Sequence, residues 1–159
     1  MDHVPHGEHE RHVVAIGSGG DPRKIAWASR EALTTWSAAS TNTAGDLQVP
    51  TGGRVIGASK WQTDIILFTD TGIARMYYTG QPFIYGIQDA GTNCKAISTR
   101  SIVSAGNFLA WMGENSFFVF DGSVKEIPCE VHDYIFDDMN YNYRKTIAGG
   151  HNSNFNEII

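Results

Sequence analysis

Cysteine is scarce in this 159-residue chain: only Cys94 and Cys129 occur, and no CxxC spacing is present. Zinc ribbons and disulfide scaffolds need more thiols at short spacings, so both are excluded, and the two cysteines read as buried reduced thiols. No apolar run approaches the roughly eighteen residues of a membrane-crossing helix, and the N-terminus lacks the apolar centre of a signal peptide. The expectation is a soluble protein without a membrane span. Positive charge is short as well, with 12 Lys and Arg against 17 Asp and Glu and a formal net charge of -5. A basic surface that grips nucleic-acid phosphates is therefore not expected.

Glycine and aromatics are plentiful: 17 Gly, 8 Phe, 6 Tyr and 4 Trp. Together they favour a β-rich, turn-punctuated fold over a helical bundle. Two stretches repeat one pattern, Asp64 to Gly80 and Gly106 to Gly122: an apolar run, a small polar turn, an aromatic-rich run and a closing glycine. The first predicts a hairpin of Ile65–Thr69 and Ile73–Tyr78 turning at Asp70-Thr-Gly72, where glycine suits a positive φ and a bulge. The second predicts Phe108–Met112 and Ser116–Phe120 turning at Gly113-Glu-Asn115. Strand–turn–strand units at a period of about 40–50 residues point to blades of a radial β-array, which must stack on neighbours to bury their faces.

Residues 1–12 are polar and read as a flexible tail, with His3, His6, His9 and His12 three apart among Asp2, Glu8 and Glu10. Nothing nearby fixes a metal geometry, so no metal site is assigned. Val13–Gly17 reads as a strand ending in a glycine turn at 17–20. It is not a dinucleotide fingerprint, because Pro22 interrupts and no helix follows. From Ile25 a strand is expected to run into a folded-back loop with Trp36 tucked beneath it. Ser29, Glu31, Thr35 and Trp36 there match a degenerate Asp-box, with Glu31 for its Asp and Leu33 for its Gly. Residues 38–53 read as loop; further strands are expected at 82–87, 96–99, 101–104, 124–127, 146–149 and from 156. One short helix is expected at 131–138, with a turn at 141–145.

No catalytic constellation emerges, and no cofactor is expected. Cys129 and His132 are close in sequence only, and no serine sits in a G-x-S-x-G elbow. Asp137 and Asp138 do not share a helix face. Asn152, Asn154, Asn156 and Glu157 lack the spacing and glycine of a calcium loop. Aromatic side chains are the remaining candidates for recognition: Trp61, Tyr77, Tyr78, Phe83, Tyr85, Tyr141 and Tyr143. Tyr141, Tyr143, Trp61, Phe83 and Tyr85 are the interface candidates, the first two favoured by their polar surroundings.

The order of short motifs carries a resemblance. Trp27-Ala-Ser29, Trp36, Thr43-Ala-Gly-Asp46, Ile66 to Gly72 and Gly80-Gln-Pro-Phe83 come first. Phe108 to Gly113, Phe118 to Gly122, Ile127-Pro-Cys129, Phe136-Asp-Asp and Asn156 to Ile159 follow. Over 13–159 the chain resembles virion structural proteins of tailed phages, akin to the β-propeller tail nozzle and packaged-DNA-stabilisation proteins of short-tailed phages. It departs at Ala28-Ser-Arg, where that family often shows Ser-Asp. The resemblance implies a mainly β protein, antiparallel blades of an incomplete β-propeller that continues beyond 159. It implies a non-enzymatic tail subunit in the virion, assembled in the host cytoplasm. Its partners would be copies of itself in a ring, commonly a hexamer, and neighbouring tail and portal–adaptor proteins. DNA would pass through the exit channel without sequence-specific binding, and acidic residues on the channel wall would let it slide. The alternative is a carbohydrate-binding β-propeller that recognises a host-surface glycan through loop aromatics.

Overall fold

Alternation of apolar and polar residues, broken by glycine-bearing turns, gives a mainly β protein. The structure is a computed structural model, and it describes residues 11–159. The tail histidines His3, His6 and His9 lie outside the described residues.

Among the described residues there are four antiparallel sheets. The first has β1 (Val14–Ile16), β2 (Lys24–Trp27) and β3 (Gly45–Gln48) in that order. The second is a meander of β4 (Val55–Trp61), β5 (Asp64–Thr69), β6 (Gly72–Gly80) and β7 (Ile84–Thr92). The third repeats it with β8 (Val103–Ala105), β9 (Phe108–Met112), β10 (Phe117–Phe120) and β11 (Val124–Ile127). A short helix, α1 (His132–Asp137), and a 3-10 turn at Tyr141–Thr146 lead to a last pair, β12 (His151–Asn152) and β13 (Glu157–Ile158). Both repeated hairpins therefore form where the sequence predicts, β5–β6 with Leu67 opposite Ala74 and β9–β10 with Phe120 opposite Leu109.

The second sheet is buried on both faces, and the period of two in a strand divides its side chains between them. Leu67, Ala74 and Met76 point towards Ile25 and Trp27 of the first sheet. Ile66, Phe68 and Ile73 point the other way, onto Leu109, Trp111 and Phe120 of the third. That is why β5 reads as an almost unbroken apolar run. The stacking is also ordered edge to edge: β4 lies beside β8 and β8 beside β12 along one rim, while β3 lies beside β7 along the other.

Several expectations need correction. Gly72 is not among the positive-φ glycines. The Thr69 hydroxyl closes that turn instead, accepting from the Gly72 backbone N–H at 3.0 Å. Glycine is required there for space, because a Cβ would overlap the Gly91 carbonyl oxygen on β7. The bulge falls later in the ladder, between the Ile73–Gly91 and Ala74–Asp89 pairs. Residues 96–99 form a single bridge, Ala96 to Gly113, and not a strand. Ser98 explains this: its hydroxyl accepts from the Ser101 N–H and donates to the Ile147 carbonyl, so the chain turns into a 3-10 helix. Residues 146–149 are likewise taken up by the end of a 3-10 turn and an extended link. Strand β7 starts at Ile84 and runs past the expected 87 to Thr92. Trp36 is not tucked under its loop but exposed, with its indole N–H on the Leu33 carbonyl at 2.8 Å. Trp27 takes the interior place, 2% exposed.

Candidate functional site

The third sheet alternates like the second, but its outer face is only partly covered. Towards the second sheet go Leu109, Trp111 and Phe120. On the opposite face the same strands place Val103, Ala110, Met112, Phe117 and Ile127, all apolar. That face forms a groove of about 370 Å³. Helix α1 covers one end through Phe136, whose ring meets Phe117 edge-on at 5.4 Å. Ile147, and Ile158 and Ile159 beyond β12, cover the other. Ile127, Ile158 and Ile159 remain exposed at its mouth.

Polar contacts from one turn hold this cover in place. The β9–β10 turn closes with Gly113 N–H on the Ser116 carbonyl at 2.7 Å. Its Glu114 carbonyl accepts from the Tyr141 hydroxyl at 3.2 Å, which also lies 3.3 Å from the Phe136 carbonyl. Its Asn115 carbonyl pairs with His132 Nε2, and His132 Nδ1 lies 3.1 Å from Asp133. The Asp133 carboxylate first, and the Asn115 carbonyl second, raise the His132 pKa. Both ring nitrogens are thus engaged away from the Cys129 thiol, and no Cys–His dyad forms.

The thiols differ. Cys94 is buried between the second and third sheets, and burial pushes its pKa up. Cys129 is half-buried on the groove wall. A thiol reagent is expected to modify one cysteine in the native protein, Cys129, and the second only with unfolding; mass spectrometry of a labelling time course checks this. Rapid native labelling of Cys94 would contradict its place in the core.

The aromatic candidates separate into two groups. Trp61 is an interior residue: its indole N–H donates to the Asn107 carbonyl at 2.7 Å and its ring meets Phe120 at 4.9 Å. The Arg75 guanidinium, paired with the buried carboxylate of Asp64, lies 6.0 Å from the Trp61 ring centroid. Tyr85 is also interior, packed edge-on against Trp27 at 5.1 Å. Its hydroxyl lies 3.1 Å from His12 Nδ1, and burial raises its pKa to about 12. These two rings join sheets within the chain, because their alternate positions face a neighbouring sheet. Phe83 and Tyr143 are exposed, at 77% and 67%, and Tyr141 partly so. The structure does not bring them together into one patch: Phe83 is on the β6–β7 turn, the tyrosines on the 3-10 turn after α1.

Among the described residues, no three His, Cys, Asp or Glu side chains gather as a metal site would. No helix there is long and apolar enough to cross a membrane. Asp137 ends α1 with Asp138 beyond it, both exposed. Asn152 Oδ1 accepts from the Asn154 N–H at 3.2 Å and so shapes the β12–β13 turn. The apolar groove escaped the sequence reading, although its signal was there: Phe117-Phe-Val-Phe120 is apolar at every position, and such a strand has both faces to cover. Comparison of the sequence with protein-family models and with curated proteins gives no match.

Proposed function

We propose that this chain is a structural protein that works by stacking β-sheets on one another, a ring-forming tail subunit of a tailed-phage virion. The observation that carries the stacking part is the apolar outer face of the third sheet. It repeats the pattern by which the second sheet is sandwiched, yet β12–β13 and α1 leave a 370 Å³ groove over it. A neighbouring subunit that fills this groove gains the same kind of burial that joins the sheets within the chain, about 25 cal/mol for each Å² of apolar surface removed from water. The phage assignment rests on the motif order described above.

The order of sheets supports an incomplete β-propeller. Successive meanders lie side by side, with first strands β4, β8 and β12 on one rim. Its partners are further copies of itself and the adjoining tail and portal–adaptor proteins, with DNA as a passing cargo. The charge distribution refines the sliding idea. Strands β4, β8 and β12 carry only Lys60 and His151 among acids and bases, while β3, β7 and β11 carry Asp46, Asp89 and Glu126 with Lys125 beside the last. The β3–β7–β11 rim, net acidic by three carboxylates against one lysine, is the side of the stack that suits the channel wall.

Native mass spectrometry is the test. The expected result is a defined ring, and Ile127→Asp, at the groove mouth, is expected to give monomers with unchanged far-UV circular dichroism. A protein that stays monomeric at every accessible concentration, or an Ile127→Asp ring as stable as the parent, would sink the proposal.

A further inference from the structure

A second recess, polar where the groove is apolar, lies at the seam between the second and third sheets. It is formed at one end of the stack, where the β5–β6 turn, the segment after β7 and the β9–β10 turn meet, and its volume is about 340 Å³. The two repeated hairpins thus contribute corresponding turns to one cleft: Asp70 and Thr71 from the first, Glu114 and Asn115 from the second. Asn93 and Lys95 complete the rim, and Phe118 supplies the aromatic surface.

These groups are held in place by their own contacts. One Asp70 oxygen accepts from the Gly53 N–H at 2.8 Å. Lys95 Nζ lies 2.9 Å from one Glu114 oxygen, and Arg144 lies 4.0 Å from the other. Phe118 is stacked on the buried Trp111, 5.7 Å between centroids at 25°, so its ring is a braced platform. Asn93 sits at φ 55, a left-handed conformation that asparagine tolerates better than most residues.

From this we infer that the cleft between the repeated turns is a binding site for a neutral saccharide. Carboxylate and amide side chains each offer two polar atoms in one plane, a match for adjacent hydroxyls, and the amides both donate and accept. The aromatic face suits the C–H face of a sugar ring. Other ligand classes fit less well. Asp70 and Glu114 oppose a phosphate, Lys95 and Arg144 beside Glu114 oppose a cation, and the polar rim leaves an apolar ligand unsupported. The volume is at the small end for ligand sites, with room for a short saccharide. The cleft shares Phe118 with the lining of the assembly groove, but its polar rim of Asp70, Thr71, Asn93, Lys95, Glu114 and Asn115 lies outside that lining.

The experiment is saturation-transfer NMR of the full chain against neutral mono- and disaccharides, with glucuronate, inorganic phosphate and a short neutral peptide as comparison arms. Transfer to sugar ring protons is expected, with a Kd on the order of 1 mM, the range of a small open site. Asn93→Gly keeps the left-handed backbone and removes only the side chain, and Asp70→Asn keeps an acceptor for Gly53. Each is expected to weaken binding about tenfold or more, roughly one lost charge-assisted or bidentate contact, while thermal melting stays within a few degrees. No transfer from any neutral sugar at about 20 mM, transfer that both variants leave unchanged, or binding of the phosphate or peptide alone overturns the inference. Subunit mass is read separately, so failure here leaves the ring proposal standing, and failure of the ring leaves this one.

Discussion

Trp111→Ala is expected to remove about 3–5 kcal/mol of folding stability, the cost of emptying a large aromatic site in a core. Trp111 is 2% exposed and stands where the second and third sheets meet. It packs edge-on against Phe68 at 5.1 Å and flat against Phe118, and its indole N–H donates to the Cys94 carbonyl at 2.8 Å. Alanine would leave a cavity against Phe68 and strip that buried carbonyl of its donor. Three strands border the hole, so it cannot collapse without moving a ladder. For a domain of this size the loss corresponds to a melting shift on the order of 10 °C. Urea denaturation followed by circular dichroism measures it, with Trp36→Ala as the comparison. Trp36 is exposed and makes one bond within its own loop, so its loss is expected to stay within about 0.5 kcal/mol. Equal costs at the two tryptophans would refute the sandwich arrangement.

Gly72→Ala comes next, with an expected loss of about 3 kcal/mol, the upper end for overpacking a filled site. The added methyl would meet the Gly91 carbonyl, a backbone atom in the neighbouring strand that cannot swing aside. Gly72 is also buried, paired with Thr92 and bonded to the Thr69 hydroxyl, which leaves the turn no room to shift. Gly80 separates this crowding from strain in the dihedral angle. It lies at φ 79 with nothing within 4 Å of where a Cβ would go. Gly80→Ala is expected to cost about 1–2 kcal/mol, and Gly80→Asn less, since asparagine tolerates the left-handed region. At Gly72, Asn is expected to be no better than Ala. If Gly72→Asn were as stable as the parent, the conformational explanation would be right and the packing one wrong.

Both predictions depend on which strand faces which, and that was legible only in part. Hairpins β5–β6 and β9–β10, strand β11 and helix α1 stand within a residue or two of where periodicity and turn residues put them. Local signals are enough there, because the strands are adjacent in sequence and closed by short turns. The strand expected at 96–99 failed because a serine hydroxyl competes for the backbone, which a pattern of apolar residues does not register. Trp61 and Tyr85 stand in the sequence as interface candidates, with the filling of cores between blades as the alternative for aromatics in strands, and the structure places both inside. Each is apolar on a strand of mixed pattern, and only the position of the next sheet decides whether its face is covered.

The sequence by itself determined the β class and the repeated hairpin, since these are matters of composition and near-neighbour pattern. Tertiary structure decided which alternate face of each strand meets a neighbour, and so turned Gly72 from a conformational glycine into a packing one. It also brought the turns of the two hairpins to one cleft and left the outer face of the third sheet as a groove. Contacts between residues distant in the chain depend on how the sheets stack, and no window of sequence contains both partners.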